Sequence, residues 1–160
     1  MPLVALAWLF TLGVLVHNIE EALYFPAWSA RAGRWHAPVG PSEFRFAVAV
    51  FSISLVAIAA TASTARPGEV SAYLFSGYVL AMVLNALAPH LVTTLATSKY
   101  MPGTATAILF NLPLGCLFLK RALSANYIEF RTFAWSGPAV VLAIVASIPL
   151  LFAVGRKVGS

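Results

Sequence analysis

The stretch LVHNIEEALYF, residues 15–25, decides how this chain is read. It closes an apolar run that begins at Pro2, yet it carries His17, Glu20 and Glu21. A charged side chain at the centre of a bilayer costs about 3 kcal/mol on insertion scales and more in simulations. On a helix His17, Glu20 and Glu21 fall at i, i+3 and i+4 and share one face, while Asn18 points aside. Three such groups on one face need a compensating partner, an ion or a cavity.

Working outward, the composition sets the class. The chain has 160 residues, of which 61% are hydrophobic and only 9% charged, against about 25% charged in a soluble domain. All five acidic residues are Glu, and the mean hydropathy is +0.88. A bilayer-spanning helix needs about 20 mostly apolar residues. Five segments meet this, at 3–25, 43–64, 69–96, 104–123 and 136–155. A soluble helical core would need polar faces on its helices, and the pattern offers none. The expectation is an all-α integral membrane protein, a bundle of about five transmembrane helices forming a single membrane domain over residues 1–160.

Several classes drop out. The net charge of +5 is spread over loops and helix ends, so no nucleic-acid partner is expected. MPLVALAWLF has no basic n-region, so a cleaved signal peptide is not expected. With the N-terminus outside, the cytoplasmic side gets Arg31, Arg34, Arg45, Lys99, Arg156 and Lys157, and the other side Arg66, Lys120, Arg121 and Arg131. That bias favours N-out, C-in. Cys116 is the single cysteine and forms no internal disulfide. No phosphate-binding glycine motif or nucleophile elbow occurs, and dissimilar halves argue against an inverted-repeat transporter.

Counting depth along each span gathers the polar residues. His17, Glu20 and Glu21 lie past the midpoint of the first span. The third span runs parallel to it and carries Asn85 and His90, followed by Thr93, Thr94 and Thr97. Asn111 lies two turns into the antiparallel fourth span. Glu43 and Arg45 open the second span at the same side. One buried polar cluster is therefore expected in that half of the bilayer. Asn85 and His90, five apart, fall on different faces of an ideal helix; either a kink at Pro89 brings them closer or Asn85 bonds a neighbouring helix. Pro113 plays the same part near Asn111, and Pro149 reads as an ordinary kink.

These residues resemble a known family. HNIEE at 17–21, the later His90 and YMPG at 100–103 occur in the order of the HXXEE-domain membrane proteins, and the resemblance covers most of the chain. It implies a protein of the bacterial-type cytoplasmic membrane and marks His17, Glu20, Glu21, His90, Tyr100, Pro102 and Gly103 as signature positions. It supplies no reaction.

The chemistry must come from the residue types. Two histidines with a carboxylate are a common catalytic zinc set with an open position for water. His17, His90 and either Glu20 or Glu21 are the candidate ligands of a divalent metal, zinc first and iron second. The other glutamate is the candidate general base, and Tyr100 the candidate stabiliser of an oxyanion. Glu20, Glu21 and Tyr100 are thus the catalytic candidates, with Asn85 and Asn111 touching substrate or supporting ligands. The expected activity is a membrane-embedded, zinc-dependent hydrolase acting on a lipid or isoprenoid. A metal-free alternative uses the glutamate pair and a histidine as acid and base to isomerise or cyclise a lipid. Proton or cation transport is a third reading, one that asks for more spans or a homo-oligomer. The plain structural alternative is helix glue, with the glutamates paired to arginine.

The remaining features read simply. YMPG suits a turn, with Tyr100 an interface anchor or a site residue. His36 is expected in a solvated loop, in a segment RAGRWHAPVGP that lies along the membrane surface. Tyr24, Trp28, Trp35, Tyr127 and Trp135 form an aromatic belt. Glu129 and Arg131 make a solvated pair. Gly77, Met82 and Gly115 are packing positions.

Overall fold

The computed structural model describes residues 1–159. Five helices are long and apolar enough to cross a membrane: α1 Leu3–Ser29, α2 Pro41–Thr64, α3 Val70–Thr97, α4 Thr104–Ser124 and α5 Phe130–Val158. No strand occurs among the described residues. This is an all-α membrane protein with the five spans that the hydropathy pattern predicts. The largest boundary change is in α5, which starts six residues before 136. Phe130, Arg131 and Trp135 are exposed, so this first turn is amphipathic and carries little of the apolar signal by which spans are counted. Glu129 accepts a hydrogen bond from Thr132 Oγ1 at 3.1 Å. No ion pair links it to Arg131 among the described residues, so the expected Glu129–Arg131 pair is replaced by a contact across the first turn of α5.

The bundle packs around α1. Its inner face, Leu6, Phe10 and Val14, joins Phe75 and Val79 of α3 and Phe118 of α4 in the main core. Phe75 stands edge-on to Phe10 and to Phe118 at centroid distances of 6.1 and 5.0 Å, the arrangement the ring quadrupoles prefer. This core fills the half of the bundle away from the polar residues. A smaller cluster of Phe25, Phe44 and Met101 caps the other half.

Gly77 and Gly155 govern the course of α5. A Cβ on Gly77 would stand 2.6 Å from Val140, and one on Gly155 would stand 2.7 Å from the Glu43 Cα. Small residues let helices approach this closely. α5 is therefore held against α3 near its beginning and against α2 at its end. Gly115 likewise lets α4 meet Val83.

Both helices that carry YMPG at their junction contain wide π turns, Ala86–Val92 in α3 and Ala107–Asn111 in α4. Each lies at a proline, Pro89 within the first and Pro113 just after the second. Proline takes a donor out of the α ladder and clashes with the carbonyl four residues back. Widening the turn is one way to accommodate it, and such bulges often mark functional sites.

Candidate metal centre

The wide turn in α3 settles the geometry of Asn85 and His90. In an α-helix they would point about 140° apart. Here Asn85 Nδ2 reaches within 3.5 Å of His17 Nε2, and His90 Nε2 lies 3.3 Å from Glu21 Oε1. Glu21 Oε2 is 3.4 Å from His17 Nε2, one helical turn away on α1. The two imidazoles meet edge to face at 4.9 Å. One donor atom each from His17, Glu21 and His90 fall within 4.8 Å of one another. Both histidines are buried, at 0% and 1% exposure, and the Glu21 side chain is 15% exposed.

Backbone geometry fixes how His17 is presented. Its Nδ1 lies 3.1 Å from the Gly103 carbonyl. A carbonyl only accepts, so Nδ1 carries the proton, and Nε2 turns its lone pair toward Glu21 and His90. Ligating histidines are typically oriented this way by a backbone carbonyl or a carboxylate. His90 is bare by comparison. Neither ring nitrogen has a hydrogen-bond partner, although both are buried. A buried polar atom left unpaired costs about 1–3 kcal/mol, which an ion shared with Glu21 and His17 would remove.

Gly103 is where YMPG meets this cluster. Its φ is +92°, open to glycine and strained for other residues. A Cβ there would lie 2.7 Å from His90 Cε1, 2.8 Å from His17 Cε1 and 3.0 Å from Glu21 Cγ. The glycine leaves room for three side chains while its carbonyl holds one of them.

Glu20, next to Glu21 but 100° round α1, does different work. Its Oε1 accepts from the Tyr100 hydroxyl and from the Gly103 N–H at 3.0 Å. Its Oε2 accepts from Thr106 Oγ1 at 2.7 Å. That threonine oxygen also sits 3.2 Å from His17 Nδ1. Partial burial, and then the bond to Glu20, hold the Tyr100 phenol above its ordinary pKa, so it remains a donor. The threonines following His90 join the same junction: Thr94 Oγ1 meets Thr104 Oγ1 at 2.9 Å and takes the Met101 N–H at 3.2 Å.

The structure thus brings His17, Glu21, His90 and Asn85 together and sets Glu20 and Tyr100 behind them as a clamp. Asn111 is fully buried without a hydrogen-bond partner and is absent from the wall of the cavity beside the cluster. That cavity, of ≈ 470 Å³, is lined by Glu21, Asn85 and His90 together with apolar residues of α2, α3 and α5. Asn18 lines it too and donates to Ser52 Oγ at 2.9 Å, so it faces the interior and does not point aside. His36 lies in the expected loop, half-buried among exposed neighbours, and its ring also lines the cavity, edge-on to Phe25 at 5.0 Å. A histidine in a glycine- and proline-rich connection carries no periodicity, so no pattern in the sequence marks where it folds back.

Fold and cluster together define a multispan membrane protein with a buried His–Glu–His group. The chain belongs to the family described as "Protein of unknown function with HXXEE motif", whose profile matches residues 8–118, the range that holds every residue of the cluster and the clamp. It is also 36% identical over 150 residues to the uncharacterized protein YrkK of Bacillus subtilis (strain 168), covering 93% of this chain and 94% of that protein. No solved structure matches.

Proposed function

We propose that this chain is a membrane-embedded metal-dependent hydrolase. It binds one divalent cation, zinc first and iron second, through His17, Glu21 and His90, and acts on a lipid or isoprenoid drawn from the bilayer. The observation that carries this reading is the convergence of three donor atoms within 4.8 Å, with His17 oriented by a backbone carbonyl and His90 facing Glu21 at 3.3 Å without a hydrogen bond to either ring nitrogen. Two histidines and one carboxylate leave a coordination position open, as catalytic zinc sites do. A cation there would supply Lewis acidity toward a carbonyl and a water of lowered pKa.

The residues around the ion divide the remaining work. Glu21 offers a negative charge within reach of both imidazoles, offsetting a buried cation. Asn85 stands at the rim with an amide oxygen free to accept. Glu20 and Tyr100, the candidate base and oxyanion group by sequence, become positioning residues, because both Glu20 oxygens are spent on Tyr100, Gly103 and Thr106. The helix-glue alternative loses its partner: no arginine pairs with Glu20 or Glu21 among the described residues. A second reading rests on the Glu21–imidazole distances of 3.3 and 3.4 Å, which also suit direct proton sharing in a metal-free isomerase or cyclase, or in a proton path.

For location, we infer a bacterial-type cytoplasmic membrane with the N-terminus outside. The helix ends flanking the site carry six of the ten basic residues, a bias that supports the cytoplasmic half for the site.

Elemental analysis of detergent-purified protein, prepared without chelator, tests the reading. About one equivalent of zinc or iron is expected from the single three-ligand site, and none in His17→Ala or His90→Ala. Metal-free wild-type protein would move the assignment to acid–base chemistry.

A further inference from the structure

The cavity beside the cluster names a class of substrate. Its mouth is set by the course of α5. The contact of Gly77 with Val140 ties α5 to α3 in the half away from the site, and the contact of Gly155 with Glu43 ties it to α2 at the far end. Between these two points α5 passes from one neighbour to the other, and the cavity occupies the wedge this leaves beside α3. Exposed residues on its wall, Leu84 and Ala88 of α3 and Val145 of α5, mark where it opens. All three are apolar and lie on membrane-spanning segments, so the mouth faces lipid chains.

The polar content of the cavity is low and mostly committed. Tyr78 donates to the Phe51 carbonyl at 3.1 Å, and the Asn18 amide donates to Ser52. What remains for a ligand is the cluster itself with Asn85, and His36. Among the described residues Glu21 is the one acidic or basic side chain on the wall apart from the histidines, and no Lys or Arg lines it. Phosphate and diphosphate heads are bound through several charge-assisted donors, most often from Arg or Lys. The cavity has no such set. A head with one carbonyl or hydroxyl group asks for no such set and can be met by the Asn85 amide beside the cluster. A volume of ≈ 470 Å³ is in the usual range of small-molecule sites.

We propose that an uncharged lipid amphiphile, with an ester, amide or alcohol head, enters sideways from the bilayer between α3 and α5 and lays its head against the His17–Glu21–His90 centre. Phospholipids and prenyl diphosphates are excluded by their heads. The proposal rests on the metal-centre reading for its chemistry but on the cavity alone for its binding.

Photolabelling separates the two. The probe is a monoacylglycerol carrying a diazirine on its chain, applied to the purified protein in detergent, with metal content measured on the same samples. Labelling is expected in α3 and α5, competed by unlabelled monoacylglycerol and not by farnesyl diphosphate. Val145→Trp and Leu84→Trp, both on lipid-facing positions, should weaken it about tenfold, the scale of an overpacking penalty, with the metal content unchanged. Labelling that ignores both tryptophans, or that the diphosphate competes best, would overturn the proposal while leaving the metal centre standing. The expected labelling on metal-free protein would uphold the cavity and remove the metal reading.

Discussion

Glu20 and Glu21 are neighbours in sequence, identical in chemistry and equal in depth, yet they belong to two different regions. Among the described residues Glu21 faces two imidazoles and takes no hydrogen bond from any other group. Glu20 holds three donors, the Tyr100 hydroxyl, the Gly103 N–H and the Thr106 hydroxyl. The first carboxylate is under-coordinated and suited to bind something; the second is saturated and suited to hold something. The difference teaches that a pair of acids in a membrane helix need not share a task. One rotation of 100° separates the carboxylate that faces the imidazoles from the strut that holds the junction beside them.

The largest effect should come from the ligand side. Glu21→Gln keeps the shape and removes the charge, and metal binding should fall from about one equivalent to near zero, since a three-ligand site leaves no spare donor. A Glu21→Gln protein that retains full metal would break the comparison at its root. Next comes Gly103→Ala, which touches both regions. The positive φ alone costs about 1–2 kcal/mol, and the added Cβ meets both imidazole rings. Thermal unfolding in detergent should show a clear loss of stability, and elemental analysis a loss of metal.

On the clamp side the effect should be graded. Glu20→Gln and Tyr100→Phe loosen Gly103 and Thr106, which hold His17 Nδ1, so they should retain metal at saturation but weaken affinity by about 10-fold, the low end for disturbing the outer shell of a ligating histidine. Chelator competition measures this. The double variant should lose less than the sum of the two, because one hydrogen bond joins the residues. Full additivity would mean that the clamp is not one unit. The smallest effect belongs to Arg156→Ala. Its 3.4 Å contact with Glu43 is largely exposed on the arginine side, and such pairs contribute about 0–1 kcal/mol. Neither metal content nor affinity should move.

Much of this was legible in the residues. All five spans follow from hydropathy, and depth counting alone puts His17, Glu20, Glu21, His90 and Asn111 in the same half of the bilayer, though Asn111 stays outside the cluster. The division of labour between the glutamates was not legible, because helix periodicity says that residues 20 and 21 share a broad face and says nothing of what meets each edge of it. The wide turns were hidden for a similar reason. Pro89 and Pro113 announce a disturbance, but whether the helix kinks or widens depends on the packing around it. The role of Gly103 could be suspected from its place in a turn. Its close approach to His17, Glu21 and His90, 13 to 86 positions away in the chain, is a tertiary fact.

The path of α5 has one more consequence, in the order of synthesis. α5 builds a wall of the cavity but gives no residue to the His–Glu–His group or its clamp, which are complete by Thr106. A ribosome making this chain has therefore produced the whole group before the last span leaves the exit tunnel. Until then the four helices lie open on the flank that α5 covers. The arrival of the fifth closes the last wall of the cavity beside the group.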